Sequence, residues 1–137
     1  MKSKTVDSDL LIIGGGMAGC GAAWEARYWS RNSKIVLVEK ANIERSGAVA
    51  MGLSAINTYM GMRWNENTPE DFVSYVKNDL MGIIRDDLVY DVARHVDSTV
   101  HLFDEWGLPI MRDKNDHYLR EGKWQIMIHG ESYKAIV

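Results

Sequence analysis

The strongest constraint on how this chain folds is a glycine-rich turn between two short apolar runs. The runs cover residues 10–13 and 35–38, and both consist of aliphatic side chains, as expected of parallel strands that are buried on both faces. Small, helix-forming residues fill much of the segment between the turn and the second run. Strand, turn, helix and strand in this order predict a βαβ unit over residues 8–40, and therefore an α/β fold with a parallel, Rossmann-like sheet.

The turn carries its glycines in the spacing G-x-G-x-x-G, at Gly14, Gly16 and Gly19. In a dinucleotide-binding turn the first glycine allows the tight bend, and the second lets the backbone approach a pyrophosphate. The third lets the helix pack closely on the sheet. A helix beginning near Met17 would point its free N–H groups and its positive dipole end at the phosphates. The alternative is a glycine-rich turn in an ordinary α/β protein, which the surrounding strand and helix disfavour.

Glu39 closes the second apolar run, at the carboxyl end of the predicted strand. A carboxylate in that place can accept hydrogen bonds from an adenosine ribose, and it repels a 2′-phosphate. The pattern does not separate NAD from FAD, so the motif by itself predicts a dinucleotide of undecided type.

Charge and composition exclude several other classes of protein. The 137 residues carry 16 basic and 19 acidic side chains, a net charge of -3, and no basic stripe marks a nucleic-acid surface. No apolar run approaches the roughly 18 residues that a transmembrane helix needs. The single cysteine, Cys20, rules out cysteine-based metal sites and disulfides within the chain, and we expect it to pack as a small residue on the first helix. We therefore predict a cytoplasmic protein with no transmembrane segment, no metal site and no nucleic-acid partner.

The rest of the chain predicts two helices and a hairpin. Apolar residues at helical spacing indicate one helix from residue 69 to residue 80 or 81, opened by a capping threonine and a proline, and a second from residue 86 or 87 to residue 106. A hairpin turn over residues 110–118 and a strand over residues 123–128 follow. We group these elements as a helical and hairpin insert covering residues 68–128.

Only two parallel strands are visible, whereas a doubly wound domain needs several. The final residues, 133–137, also stop inside an apolar pattern without a cap or a breaker. We therefore expect the sequence to be the front part of a longer protein.

Residues 44–59, ERSGAVAMGLSAINTY, resemble the flavin-contacting segment of the dissimilatory adenylylsulfate reductase alpha subunit family. The resemblance continues through NDLMG, RHVD, VHLFDEWGLP and KWQIMIHGESYK, and it covers nearly the whole chain. It implies FAD as the dinucleotide, and a fold like that of the fumarate reductase and succinate dehydrogenase flavoproteins. The chain would then be the N-terminal portion of one FAD-binding domain, incomplete as printed, with a flavin loop over residues 44–60.

The resemblance also implies an activity and partners. The reaction would be the reversible two-electron reduction of adenosine 5′-phosphosulfate to AMP and sulfite, through an adduct between the flavin N5 and sulfur. Iron–sulfur clusters would lie only on a beta subunit, in a heterodimer or larger assembly. The isolated fragment would be inactive. Two alternatives stay open: a fumarate or succinate type flavoprotein oxidoreductase, and a non-catalytic dinucleotide-binding module.

Carried over residue by residue, the resemblance assigns the cofactor contacts. The pyrophosphate would be held by Gly14, Gly16, Met17, Ala18 and Gly19. Glu39 would bind the ribose, and Lys40 would lie near the adenosine half. The isoalloxazine ring would be lined by Ser46, Gly47, Ala48, Gly52 and Ser54.

Two further positions carry chemical expectations from the same resemblance. Asn57 matches the family asparagine near the reactive edge of the flavin, and we predict that this catalytic residue orients the substrate or the adduct. The alternative is a turn asparagine that bonds its own backbone. In the fumarate and succinate enzymes a histidine commonly anchors FAD covalently, and Gly47 takes that place here, so we expect noncovalent FAD.

Overall fold

The computed structural model describes residues 3–57 and 67–137. Residues 58–60 of the predicted flavin loop therefore lie outside the described residues. The chain divides into two compact units. The first contains the residues up to Gly52 together with Glu131–Ala135 and Val137, and the second contains Leu53–Gly130 with Ile136.

The first unit is built on the βαβ arrangement that the glycine motif predicts. Strand β1 (Leu10–Ile13) leads into helix α1 (Met17–Trp29), and strand β2 (Ile35–Val38) returns parallel to β1. The register places Leu10 opposite Ile35 and carries through the full length of both strands. The predicted α/β class with a parallel sheet is thereby confirmed.

The faces of this two-stranded sheet are more exposed than the sequence pattern predicts. Only Ile12 is buried in β1, while Leu11 is 53% exposed and Ile13 is 81% exposed. Two strands and one helix offer too few apolar neighbours to cover a sheet on both sides. The expectation that these strands are buried on both faces is therefore wrong for the described part of the chain.

Two short 3₁₀ turns follow β2, at Ile43–Arg45 and Ala48–Met51. The side chain of Asn42 caps the first by accepting a hydrogen bond from the Glu44 N–H at 3.0 Å. Near the end of the chain a 3₁₀ turn, Gly130–Ser132, leads into the short helix α4 (Tyr133–Ile136).

The second unit contains the two predicted helices and an antiparallel sheet. The helices are α2 (Pro69–Asp79) and α3 (Asp86–Glu105). The sheet has the strand order β3-β5-β4, with the strands β3 (Ala55–Ile56), β4 (Arg120–Glu121) and β5 (Gln125–Met127). Phe72, Ala93 and Trp124 form a buried apolar cluster, and the rings of Phe72 and Trp124 meet edge to face with centroids 5.1 Å apart.

Local signals explain where these helices begin and end. At the start of α2, Thr68 Oγ1 accepts from the Asp71 N–H at 3.1 Å and Asp71 Oδ2 accepts from the Thr68 N–H at 3.2 Å, which is a capping box. After α3, Gly107 adopts a φ of 88° and the Leu108 N–H donates to the Phe103 carbonyl, so a Schellman motif closes the helix. No helix in residues 3–57 or 67–137 is both long and apolar enough to cross a membrane.

Candidate dinucleotide site

The site begins where β1 passes into α1. Gly14 takes a φ of 99°, and its N–H donates to the Val38 carbonyl at 2.8 Å, which ties the turn to the end of β2. Gly16 is the N-cap of α1, and no side chain caps the helix from that position. The first N–H groups of a helix have no partner within the helix, so this end offers donors and a positive dipole to an anion.

The middle glycine, Gly15, is the most heavily bonded residue of the turn. Its N–H donates to Glu39 Oε2 at 2.5 Å. Its carbonyl accepts from the Ser46 hydroxyl at 2.8 Å and from the Cys20 thiol at 3.5 Å. A Cβ at position 15 would collide with the Ile43 side chain. The sequence analysis assigns roles to the first, third and sixth positions of the motif and misses this one, although Gly15 is visibly the middle of three consecutive glycines.

These bonds set the direction of the next peptide group. A trans peptide is planar, so its C=O and N–H point in opposite directions. The Gly15 carbonyl points at Ser46, and the N–H of Gly16 therefore points away from Ser46. The Ser46 side chain thus helps to orient the N–H donor of Gly16.

Glu39 lies beside the tip of α1, as its place at the end of β2 requires. Its second oxygen, Oε1, accepts from the Ala41 N–H at 3.0 Å. The backbone N–H of Gly15, and after it that of Ala41, holds the pKa of this carboxyl below its ordinary value of 4.5. Each carboxylate oxygen keeps lone-pair capacity for a further donor. Binding of a ribose hydroxyl by Glu39 stays a prediction.

An open cleft of about 460 Å³ lies at the carboxyl ends of the two parallel strands. Its lining residues are Ile13, Gly14, Val38, Glu39 and Lys40. In open α/β sheets ligands bind outside the carboxyl ends of the strands. The predicted neighbours of the adenosine half, Glu39 and Lys40, are therefore brought together with the glycine turn, and the Lys40 side chain is exposed.

Two close backbone approaches shape the turn. A Cβ on Gly19 would overlap the carbonyl oxygen of Gly14, so the first turn of α1 packs directly on the end of β1. Gly47 has a φ of 80°, and a Cβ there would lie 2.8 Å from the Cα of Gly16. The segment after β2 therefore lies with its backbone against the glycine turn, as a site for a flat, extended ligand requires.

The remaining predicted residues divide between the two units. Ser46 is buried and uses its hydroxyl to hold Gly15, while Ala48 begins the partly exposed 3₁₀ turn that follows and Gly52 caps its end. Ser54 and Asn57 belong to the second unit, where the Ser54 carbonyl accepts from the Ile128 N–H at 3.0 Å. Their roles beside a flavin ring, like those of Met17 and Ala18 at the pyrophosphate, stay predictions.

The geometry of the first unit fits the adenosine diphosphate half of a dinucleotide. It combines an uncapped helix end, a glycine backbone free of side chains, and a charged carboxylate at the end of the second strand. These are the features by which a βαβ unit binds a diphosphate and a ribose. They define a dinucleotide-binding domain of the Rossmann-like class.

Comparison with known proteins then specifies the family. The chain belongs to the FAD binding domain family, whose model matches residues 9–129. It is 52% identical over 153 residues to the alpha subunit of adenylylsulfate reductase from Megalodesulfovibrio gigas, an alignment that covers 94% of this chain and 22% of that protein. FAD is therefore the dinucleotide, and the family resemblance drawn from the sequence is confirmed.

Solved structures also show similarity to adenylylsulfate reductases. The structure of adenylylsulfate reductase from Archaeoglobus fulgidus matches with a TM-score of 0.89 and 62% identity, over 96% of this chain and 21% of that one. A structure of adenosine-5-phosphosulfate reductase in complex with sulfite, described as a covalent adduct, matches with the same scores and coverage. Both relatives are named as adenylylsulfate reductases, and this chain spans about a fifth of their length.

Proposed function

We propose that this chain forms the FAD-holding part of an adenylylsulfate reductase, which reversibly reduces adenosine 5′-phosphosulfate to AMP and sulfite. The observation that carries the proposal is the glycine turn around Gly15, held by Glu39 and Ser46, in a chain 52% identical to an adenylylsulfate reductase alpha subunit. The turn supports the proposed binding of the cofactor, and the similarity to adenylylsulfate reductases supports the proposed reaction.

In this proposal the residues of the chain bind the diphosphate and the ribose of FAD and orient the cofactor. The N–H groups at the start of α1 bind the diphosphate, Gly14 and Gly16 keep side chains out of its path, and Gly19 lets the helix end pack closely beside it. Glu39 binds the ribose. Ser46 fixes the Gly15 peptide, so the donors are oriented before the cofactor arrives and little entropy is lost on binding.

The conformation at Gly47 supports a noncovalent cofactor. At φ 80° and ψ 171°, with a Cβ position only 2.8 Å from the Gly16 Cα, this residue has no room for the histidine that anchors FAD in the fumarate and succinate enzymes. The same feature disfavours the alternative of a fumarate or succinate type oxidoreductase.

The redox chemistry and the partner complete the proposal. When bound, FAD supplies the two-electron chemistry, and we infer sulfur attachment at its N5, in keeping with the sulfite adduct described for a related structure. Asn57 orients the substrate at the reactive edge of the flavin. Electrons reach the flavin from an iron–sulfur beta subunit, and the alpha–beta assembly works in the cytoplasm.

The test uses the complete polypeptide that carries these residues. We expect the purified protein to be yellow, to bleach when sulfite is added, and to release FAD into the supernatant after acid denaturation. Release of NAD, or of no nucleotide, would refute the binding proposal. Flavin that stays in the protein pellet would refute noncovalent attachment, and a flavin that sulfite does not bleach would refute the proposed reaction class.

A further inference from the structure

Lys134 is a buried lysine beside the glycine turn. Only 5% of its surface is exposed, although lysine is almost never buried without a partner. Its Nζ lies 3.4 Å from Cys20 Sγ. Within residues 3–57 and 67–137 no carboxylate pairs with this ammonium group. A buried cation needs a compensating negative charge, which the described chain does not supply.

Cys20 connects this lysine to the turn. The thiol lies 3.4 Å from Lys134 Nζ and 3.5 Å from the Gly15 carbonyl oxygen, so it can accept from the lysine and donate to the carbonyl. Cys20 is the fourth residue of α1. The ammonium therefore lies no farther from the Gly15 carbonyl oxygen than these two distances together, and Gly15 directly precedes the N-cap Gly16 at the positive helix end.

We propose that Lys134 is a positioning residue for the FAD diphosphate. Its charge adds to the field at the tip of α1, and through the Cys20 thiol it helps hold the Gly15 carbonyl, which fixes the opposite-facing N–H of Gly16. The diphosphate is then the missing negative charge. This inference rests on the proposed FAD function and deepens it, because it adds a cation distant in sequence from the glycine motif.

The experiment compares substitutions in the complete polypeptide, stripped of flavin. Lys134→Gln and Lys134→Met remove the charge, and Lys134→Arg keeps it. Lys34→Gln is the matched control, since Lys34 is an exposed lysine of the same unit just before β2, at the end opposite Glu39. Dissociation constants are measured for FAD by fluorescence quenching, and for ADP and adenosine by competition with FAD.

If the Lys134 charge acts on the diphosphate, removing it weakens only ligands that contain a diphosphate, which FAD and ADP do and adenosine does not. At about 10 Å and an effective dielectric constant near 20, the interaction corresponds to a loss on the order of tenfold in affinity. We expect Lys134→Gln to weaken FAD and ADP by this factor and to leave adenosine within about twofold. Lys134→Arg should restore ADP binding, and Lys34→Gln should change nothing.

The outcomes separate this inference from the proposed function. Equal weakening of ADP and adenosine would show a merely structural role and would overturn the inference, as would unchanged ADP binding. If Lys134→Gln does not fold, Lys134→Met gives the same readout with an apolar side chain suited to a buried place. A wild-type protein that binds no FAD would instead overturn the proposed function.

Discussion

Two glycines of helix α1, separated by one residue, should respond oppositely to the same substitution. A Cβ at Gly21 would meet nothing within 4 Å, whereas a Cβ at Gly19 would overlap the carbonyl oxygen of Gly14 and lie 3.6 Å from Ile12 Cγ2. Gly21→Ala is therefore a matched control for Gly19→Ala. Both change the helix propensity equally, and only one changes the packing of the helix on the turn.

The magnitudes follow from these contacts. Replacing a glycine inside a helix by alanine gains about 0.8–1 kcal/mol of stability, and Gly21→Ala should realise this gain. In Gly19→Ala the gain is opposed by overpacking, which typically costs about 1–3 kcal/mol, and here the obstacle is backbone, which moves less readily than a side chain. We expect Gly19→Ala to be destabilised overall and to move the tip of α1 away from the diphosphate.

The assay is urea unfolding of the flavin-loaded complete polypeptide, followed by the fluorescence of released FAD. Gly21→Ala should release FAD at the same or a higher urea concentration than the wild type, and Gly19→Ala at a lower one. Direct titration of the stripped proteins should show FAD affinity weakened on the order of tenfold only in Gly19→Ala, because the donors of the helix end are displaced by the overpacking. If both variants retained FAD equally, the close packing of α1 on β1 would be refuted.

Three further predictions concern two predicted cofactor contacts, Glu39 and Gly47, and the predicted catalytic residue Asn57. The pKa of Glu39 lies below 4.5, so its charged form should support FAD retention from neutral pH down to about 4.5. Retention should decline as the pH falls further, and Glu39→Gln should weaken binding about tenfold even at pH 7, measured by gel filtration. Gly47→Ala should cost about 1–3 kcal/mol of stability and also weaken FAD binding. Gly82→Ala, at φ 83° but in open space, should lose stability in thermal unfolding without losing FAD. Asn57→Ala should lower the turnover number on the order of 10²-fold at unchanged FAD content, whereas Asn115→Ala on the hairpin turn should match the wild type in the same activity assay.

Much of the local structure could be predicted because its causes are local. The glycine spacing and the two aliphatic runs predicted the βαβ unit, and β1 and β2 lie where expected. The capping residue Thr68 and the terminating Gly107 bracket the two helices of the second unit, and α2 ends at Asp79, just before the predicted boundary at residue 80 or 81. Such signals depend on backbone hydrogen bonds within a few residues.

The rest depends on contacts between residues distant in sequence. The bond from Gly15 to Glu39 spans 24 residues, and the contact between Cys20 and Lys134 spans 114. No periodicity marks either of them. Burial of the parallel strands was overpredicted for a related reason. An aliphatic pattern shows that both faces of a strand can be buried, but it does not show whether the described chain contains enough neighbouring elements to bury them.

The hydrogen bond from the Gly15 N–H to Glu39 has a consequence for attempts to change which nucleotide the protein accepts. Exchanging Glu39 for a small or basic residue is the usual way to admit a phosphorylated ribose. Here the same carboxylate holds the Gly15 amide, so the exchange would also loosen the turn that we propose binds the diphosphate. Cofactor choice and loop order are coupled through one side chain, and a redesign would have to supply a new acceptor for that amide.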